Sequence, residues 1–392
     1  MTYNFDTVID RHGTNAIKTD LAVIRGKPAD VLSLWVADMD FPTSPAILEA
    51  IHKKTDHGIF GYSCIDDSFF NSLKNWMQTE HDFSPERNEL VTTPGVVFGI
   101  SCAIRAFTKE NESVLIQTPV YYPFKNMIEL NNRHLVTSSL YEKDGKYYID
   151  FEDFERKIAD NNVKLFILCS PHNPVGRVWT KDELLQILEI CLRHKVIVFS
   201  DEIHNDFVYE PNKHTVFSTL SKEAAENSIV SMSVSKTFNL AGLQFSTNFI
   251  KNPVLRKLFK IEKDKTGYDE PSLIGMTAAH AAYDNGKPWL DDLHAYLKDN
   301  IEFLRSFLKQ KLPKVRLIEP EGTFLLWLDF SGMGFSDSEI DDIIVNRAKV
   351  WLDRGTMFGP EGEYYQRINV ATPRSILEEA LNRITKAFQE VK

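Results

Sequence analysis

The strongest constraint on the fold of this chain is a rhythm between residues 89 and 250, where short apolar runs of strand length are separated by segments with helical spacing. Residues 89–93 read as a strand, Pro94-Gly95 as a turn and residues 96–107 as a helix. Strand patterns return at residues 113–117, 134–139 and 163–169, and the last of these (Val-Lys-Leu-Phe-Ile-Leu-Cys) is apolar enough to be buried on both faces, as in a parallel sheet. Residues 180–194 have helical spacing behind a Thr-x-x-Glu capping box (Thr180, Glu183), and strand patterns follow at 195–199, 228–234 and 248–250. Strands that alternate with helices bury both faces of a sheet, so the pattern predicts an α/β domain with a doubly wound, mostly parallel sheet. Ligands of such sheets collect beyond the carboxyl ends of the strands.

The flanking segments read differently. Residues 1–45 are polar and turn-rich up to a β-type run at 31–37, helices fit 45–54 and 66–79, and Tyr62 stands on the loop between them. Beyond residue 288 a helix at 289–312 is long enough to bridge two domains, and strands (323–329, 366–371) with helices (336–347, 375–391) describe a smaller α+β unit. The expected division is an arm belonging in part to the small domain (1–45), a large ligand-binding domain (46–287) and a carboxyl-terminal small domain (288–392). With 392 residues, 43% of them hydrophobic, the chain has the material for two such cores.

Composition narrows the partners. A formal net charge of -10 without any long basic run argues against nucleic-acid or anionic-membrane binding. No apolar run approaches the roughly 20 residues that span a bilayer, and residues 1–13 lack an apolar leader, so a cytoplasmic location is expected. Four cysteines without Cys-x-x-Cys spacing suggest neither disulfides nor a metal site.

Chemistry concentrates where these strands end. The stretch Ser231 to Gly242 (Ser-Met-Ser-Val-Ser-Lys-Thr-Phe-Asn-Leu-Ala-Gly) places Lys236 after a strand, among small residues and hydroxyls. Partial burial disfavours an ammonium, and an unprotonated lysine attacks aldehydes, so Lys236 is a candidate Schiff-base former. The strand, Gly95 turn and helix that follow one another at 89–107 would present free N–H groups to a phosphate. Tyr121 follows a strand that stops at Thr-Pro-Val-Tyr-Tyr-Pro, and its ring can stack on a flat ligand.

Five features in one order, namely Tyr121, Asn-Pro-x-Gly at 173–176, Asp201, Ser-x-Ser-Lys at 233–236 and Arg-Ile-Asn-Val-Ala at 367–371, resemble the fold type I pyridoxal 5'-phosphate enzymes, the aspartate aminotransferase superfamily. The likeness covers essentially the whole chain. Within it, Trp-Val-Ala-Asp-Met-Asp-Phe (35–41), Ser-Asp-Glu-Ile-His (200–204) and Ser-Lys-Thr-Phe-Asn-Leu-Ala-Gly-Leu-Gln (235–244) are similar to the MalY/PatB group of cystathionine β-lyases, or C-S lyases. The resemblance implies a carbon-sulfur lyase that performs α,β-elimination on cystathionine or cysteine and yields a thiol, pyruvate and ammonia. An aminotransferase of the same fold, or an added regulatory protein-binding role, is the alternative.

Roles follow from the same likeness. Lys236 carries the cofactor and acts as base, Asp201 faces the pyridine nitrogen, Asn173 donates to the phenolic oxygen and Tyr121 stacks on the ring and meets substrate. Val96 and Val97 N–H groups, Ser233, Ser235 and Tyr62 hold the phosphate, with Tyr62 reaching in from a second subunit, which implies a homodimer with shared active sites. Arg367 grips the substrate α-carboxylate. Two departures stand out: Gln244 replaces the superfamily's usual phosphate arginine, and His204 replaces its usual tyrosine, so His204 is a cofactor contact or a structural imidazole.

Overall fold

The structure, a computed structural model, describes residues 2–391. After a two-residue strand in the arm, β1 (Leu32–Ser33), the chain forms β2 (Leu90–Thr93), β3 (Ser113–Thr118) and β4 (His134–Ser139). A hairpin of β5 (Tyr141–Lys143) and β6 (Lys146–Tyr148) leads on to β7 (Leu165–Cys169), β8 (Ile197–Asp201), β9 (Ser228–Met232) and β10 (Ser246–Phe249). Seven of these build one sheet in the order β2-β10-β9-β8-β7-β3-β4. Only β10 is antiparallel to its neighbours.

Side-chain alternation explains why this sheet is covered on both sides. Val114, Ile116, Leu165 and Ile167 point into one core with the helices Val96–Phe107, Pro123–Leu130 and Pro253–Asp264. Leu115, Phe166, Leu168 and Val198 point into the other, where Phe151–Asp160 and Lys181–Arg193 pack. The doubly wound sheet that strand-helix alternation predicts is therefore present. Because β10 runs backwards, its first residues join the carboxyl ends of β7, β8 and β9 at one edge.

The second sheet contains β11 (Arg316–Leu317), β12 (Leu325–Asp329), then, after β13 (Val350–Trp351), β14 (Asp353–Arg354) and β15 (Tyr365–Asn369), in the antiparallel order β11-β12-β15-β14. β13 pairs in parallel with β1, so the arm is stitched onto the carboxyl-terminal part. In the chain, the helix Lys287–Lys311 comes between β10 and β11; its 25 residues span about 37 Å and bury Leu290, Leu293, Leu297, Ile301, Leu304 and Leu308 at spacings of three and four.

Two expectations shift in detail. Only Leu32 and Ser33 of the run at 31–37 form a strand; Leu34 and Asp40 keep backbone hydrogen bonds, while Val36, Asp38, Met39 and Phe41 are held by the side-chain amides of Asn239 and Asn369. The helix expected at 336–347 is Asp337–Asp342 followed by a π turn, Ile343–Arg347, a widening that leaves Ile340, Ile343, Ile344 and Val345 all buried. Among the described residues no helix is long and apolar enough to cross a membrane, and no cluster of three metal-ligating side chains occurs.

Arg177 joins the two sheets. Its guanidinium, 2% exposed, pairs with Glu183 at 2.9 Å and with Glu321 at 2.8 Å, donates to the Tyr147 carbonyl and lies over the Trp179 ring. Removing one partner of such a buried set leaves uncompensated charge. Arg177→Ala should therefore lose about 3–5 kcal/mol, read as a lower denaturant midpoint at unchanged ligand concentration.

Candidate active site

The segments that follow β2, β3, β7, β8 and β9 and the one that leads into β10 line a single cleft, together with Ala37 of the arm, with about 770 Å³ of empty volume that is partly open to solvent. β9 stops at Met232, and Ser233, in an extended conformation, caps the one-turn helix Val234–Thr237 that carries Lys236. The hydroxyl of Ser233 donates to the Phe245 carbonyl at 2.7 Å and accepts from Ser235 N at 3.0 Å. Both contacts turn it into the protein, so of the two serines expected at a phosphate only Ser235 lines the cleft. Ser233 caps the one-turn helix that carries Lys236.

Lys236 points at the arm. Its Nζ donates to the Ala37 carbonyl at 2.7 Å, and burial lowers its pKa to about 8, opposed by the charge of Asp38. The arm itself is fixed from several sides. Asn239, three residues after the lysine and at φ +58°, donates to the carbonyls of Met39 and Phe41 and accepts from Met39 N. Asn369 donates to the carbonyls of Val36 and Asp38, while Arg11 and the buried Lys18 clamp Asp40. An αL position with an amide that reaches both backbone donors and acceptors suits asparagine.

Asp201 ends β8 and is 4% exposed. Its carboxylate accepts one hydrogen bond, from Ile203 N at 3.1 Å, and burial pushes its pKa up to about 7. Asn173, in the turn after β7, accepts from Arg367 Nη1 at 2.9 Å, and its amide N–H2 has no partner among the described residues. Tyr121 lines the same wall, with burial raising its hydroxyl pKa well above the ordinary value. At the opposite end, Val96 and Val97 open the helix Val96–Phe107 behind Gly95, which offers no side-chain cap, so their N–H groups are free toward the cleft. Gln244, at φ +52°, also lines it.

His204 faces the cleft too. Burial, with the charges of Lys236 and Arg367 adding to it, holds its pKa well below 6.5, so the imidazole is neutral. Its Nδ1 has no hydrogen-bond partner.

Arg367, on β15, lies opposite Asp353 of β14 and Trp327 of β12. Its guanidinium pairs with Asp353 and donates to the Trp35 carbonyl at 2.8 Å, leaving Nε without a partner. Asp353 is a member that sequence reading missed; its only sequence signal is its position on the strand beside the arginine. Burial raises the Asp353 pKa while Arg367 pulls it down. Ile203, two residues beyond Asp201, and the Ala37 carbonyl were missed for a similar reason, since an aliphatic side chain and a main-chain oxygen carry no motif. Tyr62 lies apart from this cleft, 95% exposed on the coil before the helix Asp67–His81.

The arrangement provides an amine of lowered pKa, a buried carboxylate with a single hydrogen-bond donor, free amide donors, a neutral imidazole and a helix amino end around one hollow. These residues fit pyridoxal 5'-phosphate. Asp201 is the decisive fit, because a sealed carboxylate with a single donor is matched by a protonated ring nitrogen.

Known proteins agree with this picture. The profile of the family described as Aminotransferase class I and II matches residues 29–384. Cystathionine beta-lyase PatB of Bacillus subtilis (strain 168) is 42% identical over 385 residues, covering 98% of this chain and 100% of that protein. Protein MalY of Escherichia coli (strain K12) is 34% identical over 392 residues, with 100% of both covered. The crystal structure of cystalysin from Treponema denticola, which contains a pyridoxal 5'-phosphate cofactor, superposes with a TM-score of 0.97 at 35% identity, again over 100% of each chain.

The pKa of Lys236 gives a direct check. In cofactor-stripped protein, reductive methylation of Lys236, followed by peptide mass mapping, should rise through a midpoint near pH 8. Exposed lysines should still be gaining reactivity above about pH 10.

Proposed function

The chain belongs to the aminotransferase class I and II family, and from that premise we propose that it is a pyridoxal 5'-phosphate-dependent carbon-sulfur lyase, which performs α,β-elimination on cystathionine or cysteine and releases a thiol, pyruvate and ammonia. The observation that carries the cofactor assignment is Asp201, buried with one donor beside an amine of lowered pKa. The choice of lyase rests on the full-length likeness to PatB and cystalysin.

When bound, pyridoxal 5'-phosphate supplies an aldehyde that condenses with amines and a protonated pyridine ring that withdraws electrons from the substrate Cα. The protein's residues do the rest. Lys236 is the amine that would hold the cofactor, and its Nζ would take the proton from the substrate Cα and give one to the departing sulfur. A pKa near 8 keeps a useful fraction of that amine unprotonated around neutral pH. Asp201 keeps a proton on the ring nitrogen by supplying negative charge in a dry site. The unpartnered Asn173 amide donates to the phenolic oxygen, and Tyr121 covers the ring. Neutral His204 offers a hydrogen bond without adding charge.

Val96 N–H, Val97 N–H and Ser235 hold the phosphate. Arg367, oriented by Asp353, Asn173 and the Trp35 carbonyl, receives the substrate α-carboxylate through its remaining donors. The working unit is a homodimer in the cytoplasm. Supporting this, Ile59, Phe60 and Tyr62 are 67%, 63% and 95% exposed on one coil, apolar surface that a second copy would cover while Tyr62 reaches its phosphate.

Asp201→Asn should keep the cofactor in place and lower turnover by at least about two to three orders of magnitude, since it removes the charge that favours the protonated ring. Steady-state rates of the cofactor-loaded variant check this, and near-normal turnover would remove Asp201 from its role.

The lyase reading itself is tested by supplying cystathionine or cysteine without a keto acid. Elimination regenerates the starting cofactor form in each cycle, so pyruvate and ammonia should appear in equal amounts and without interruption, while alanine should hardly react. A transaminase needs an acceptor after one turnover per site. Strict dependence on added keto acid would replace the lyase by an aminotransferase.

A further inference from the structure

Just outside the cleft, on the side of Arg367, two cations stand on a pair of tryptophans. Trp35 and Trp351 are stacked with ring centroids 4.3 Å apart and planes 18° apart, held in register because Leu32 and Ser33 of β1 pair with Val350 and Trp351 of β13. The Arg25 guanidinium carbon lies 4.6 Å from the Trp35 centroid, and Lys27 Nζ lies 5.8 Å from the Trp351 centroid. The Trp35 indole is fixed by donating to the Lys18 carbonyl at 3.3 Å. Neither Arg25 nor Lys27 is in an ion pair among the described residues, although many other surface cations of this acidic chain are.

This pair is coupled to the substrate end of the cleft through the same two tryptophans. The Trp35 carbonyl accepts from Arg367, and Trp351 lies two residues from Asp353, hence on the same side of an extended segment as the carboxylate that pairs with Arg367. The charges of Arg25 and Lys27 reach Asp353, and that of Arg25 reaches the hydroxyl of half-buried Tyr122, whose ring adjoins Tyr121 of the cleft wall.

A guanidinium lying on an indole face keeps its edge N–H groups free and oriented, which favours a planar carboxylate over water. We propose that Arg25, with Lys27 beside it, forms a subsite for a second carboxylate, so that the enzyme prefers cysteine thioethers whose sulfur substituent ends in a carboxylate. This rests on the carbon-sulfur lyase reading and names its substrate class. Arg367 takes the α-carboxylate, and the far end of the substituent meets Arg25 at the mouth. A free thiol such as cysteine has nothing to place there.

The test compares S-(3-carboxypropyl)-L-cysteine with S-butyl-L-cysteine, using the cofactor-loaded enzyme and following thiol release without a keto acid. Wild-type protein should favour the carboxylate substrate. In Arg25→Gln the ratio of the two kcat/KM values should fall about tenfold, the size of one lost charge-assisted contact, and chiefly through KM. Arg25→Lys should keep part of the preference, and added salt should erode it in the wild type. A parallel loss for both substrates would mean that Arg25 only props the tryptophan pair, and an unchanged ratio would mean that it meets no substrate; either overturns the subsite. Thiol release from neither substrate in the wild type would overturn the lyase reading, and the subsite with it.

Discussion

Asp201 sits at the end of β8 with almost no exposed surface and a single backbone donor, and an ionised carboxylate in that setting is costly unless a positive group faces it. Burial pushes its pKa up to about 7, a rise that the Ile203 N–H and the nearby Lys236 only partly oppose. Desolvation acts on both groups in opposite senses. It makes the acid reluctant to ionise and the amine reluctant to protonate, so both titrate closer to neutrality than in water. A ligand with a basic ring nitrogen beside Asp201 and a carbonyl beside Lys236 relieves both groups together, which is why the rest of the cleft can be built from neutral donors.

Holding those groups in place falls to residues 34–41, which pass between the sheets as a strap. Trp35 offers its carbonyl to Arg367 and Ala37 offers its own to Lys236, while Asn239 grips the strap from the large sheet and Asn369 from the small one. A shift of the small sheet relative to the large one is thus felt at both ends of a bound substrate. Asp353 has a complementary effect on Arg367. The pair neutralises a buried guanidinium and sets its plane, yet leaves donor capacity, including the unpartnered Nε, for an incoming carboxylate.

How much of this could be read from the sequence depends on whether the information was local. The sheet was legible because its central strands, β7 above all, are apolar on both faces, and its ends were marked by Pro119, Pro171 and Gly95, residues that stop pairing or open a helix. Lys236, Asp201, Asn173 and Arg367 were legible because their neighbours repeat a known order, and the structure brings all four to one cleft or its border. Asp353 and the Ala37 carbonyl were not, since their importance arises from pairings across 14 and 199 residues. Ser233 shows the reverse case: its motif is clear, but the hydroxyl also serves a nearby helix start and the Phe245 carbonyl, contacts the motif does not announce.

Charge bookkeeping at the phosphate end leads to the last step. The described lining contains no arginine, Gln244 stands where a cation would be expected, and Lys236 lies at the carbonyl end of the cleft. A helix amino end is worth about 0.3–1 kcal/mol when exposed and up to about 2 when partly buried, less than a close cation in a dry site supplies. On the proposed assignment, the N–H groups of Val96 and Val97 and the Ser235 hydroxyl would therefore hold a dianion by geometry more than by charge. In such a site one further donor would matter disproportionately, and in the proposed homodimer the exposed Tyr62, flanked by the exposed Ile59 and Phe60, would be that donor. In that homodimer, cofactor retention and association of two copies would be a single equilibrium, because each copy would lend the other a phosphate donor while covering apolar surface that neither would bury alone.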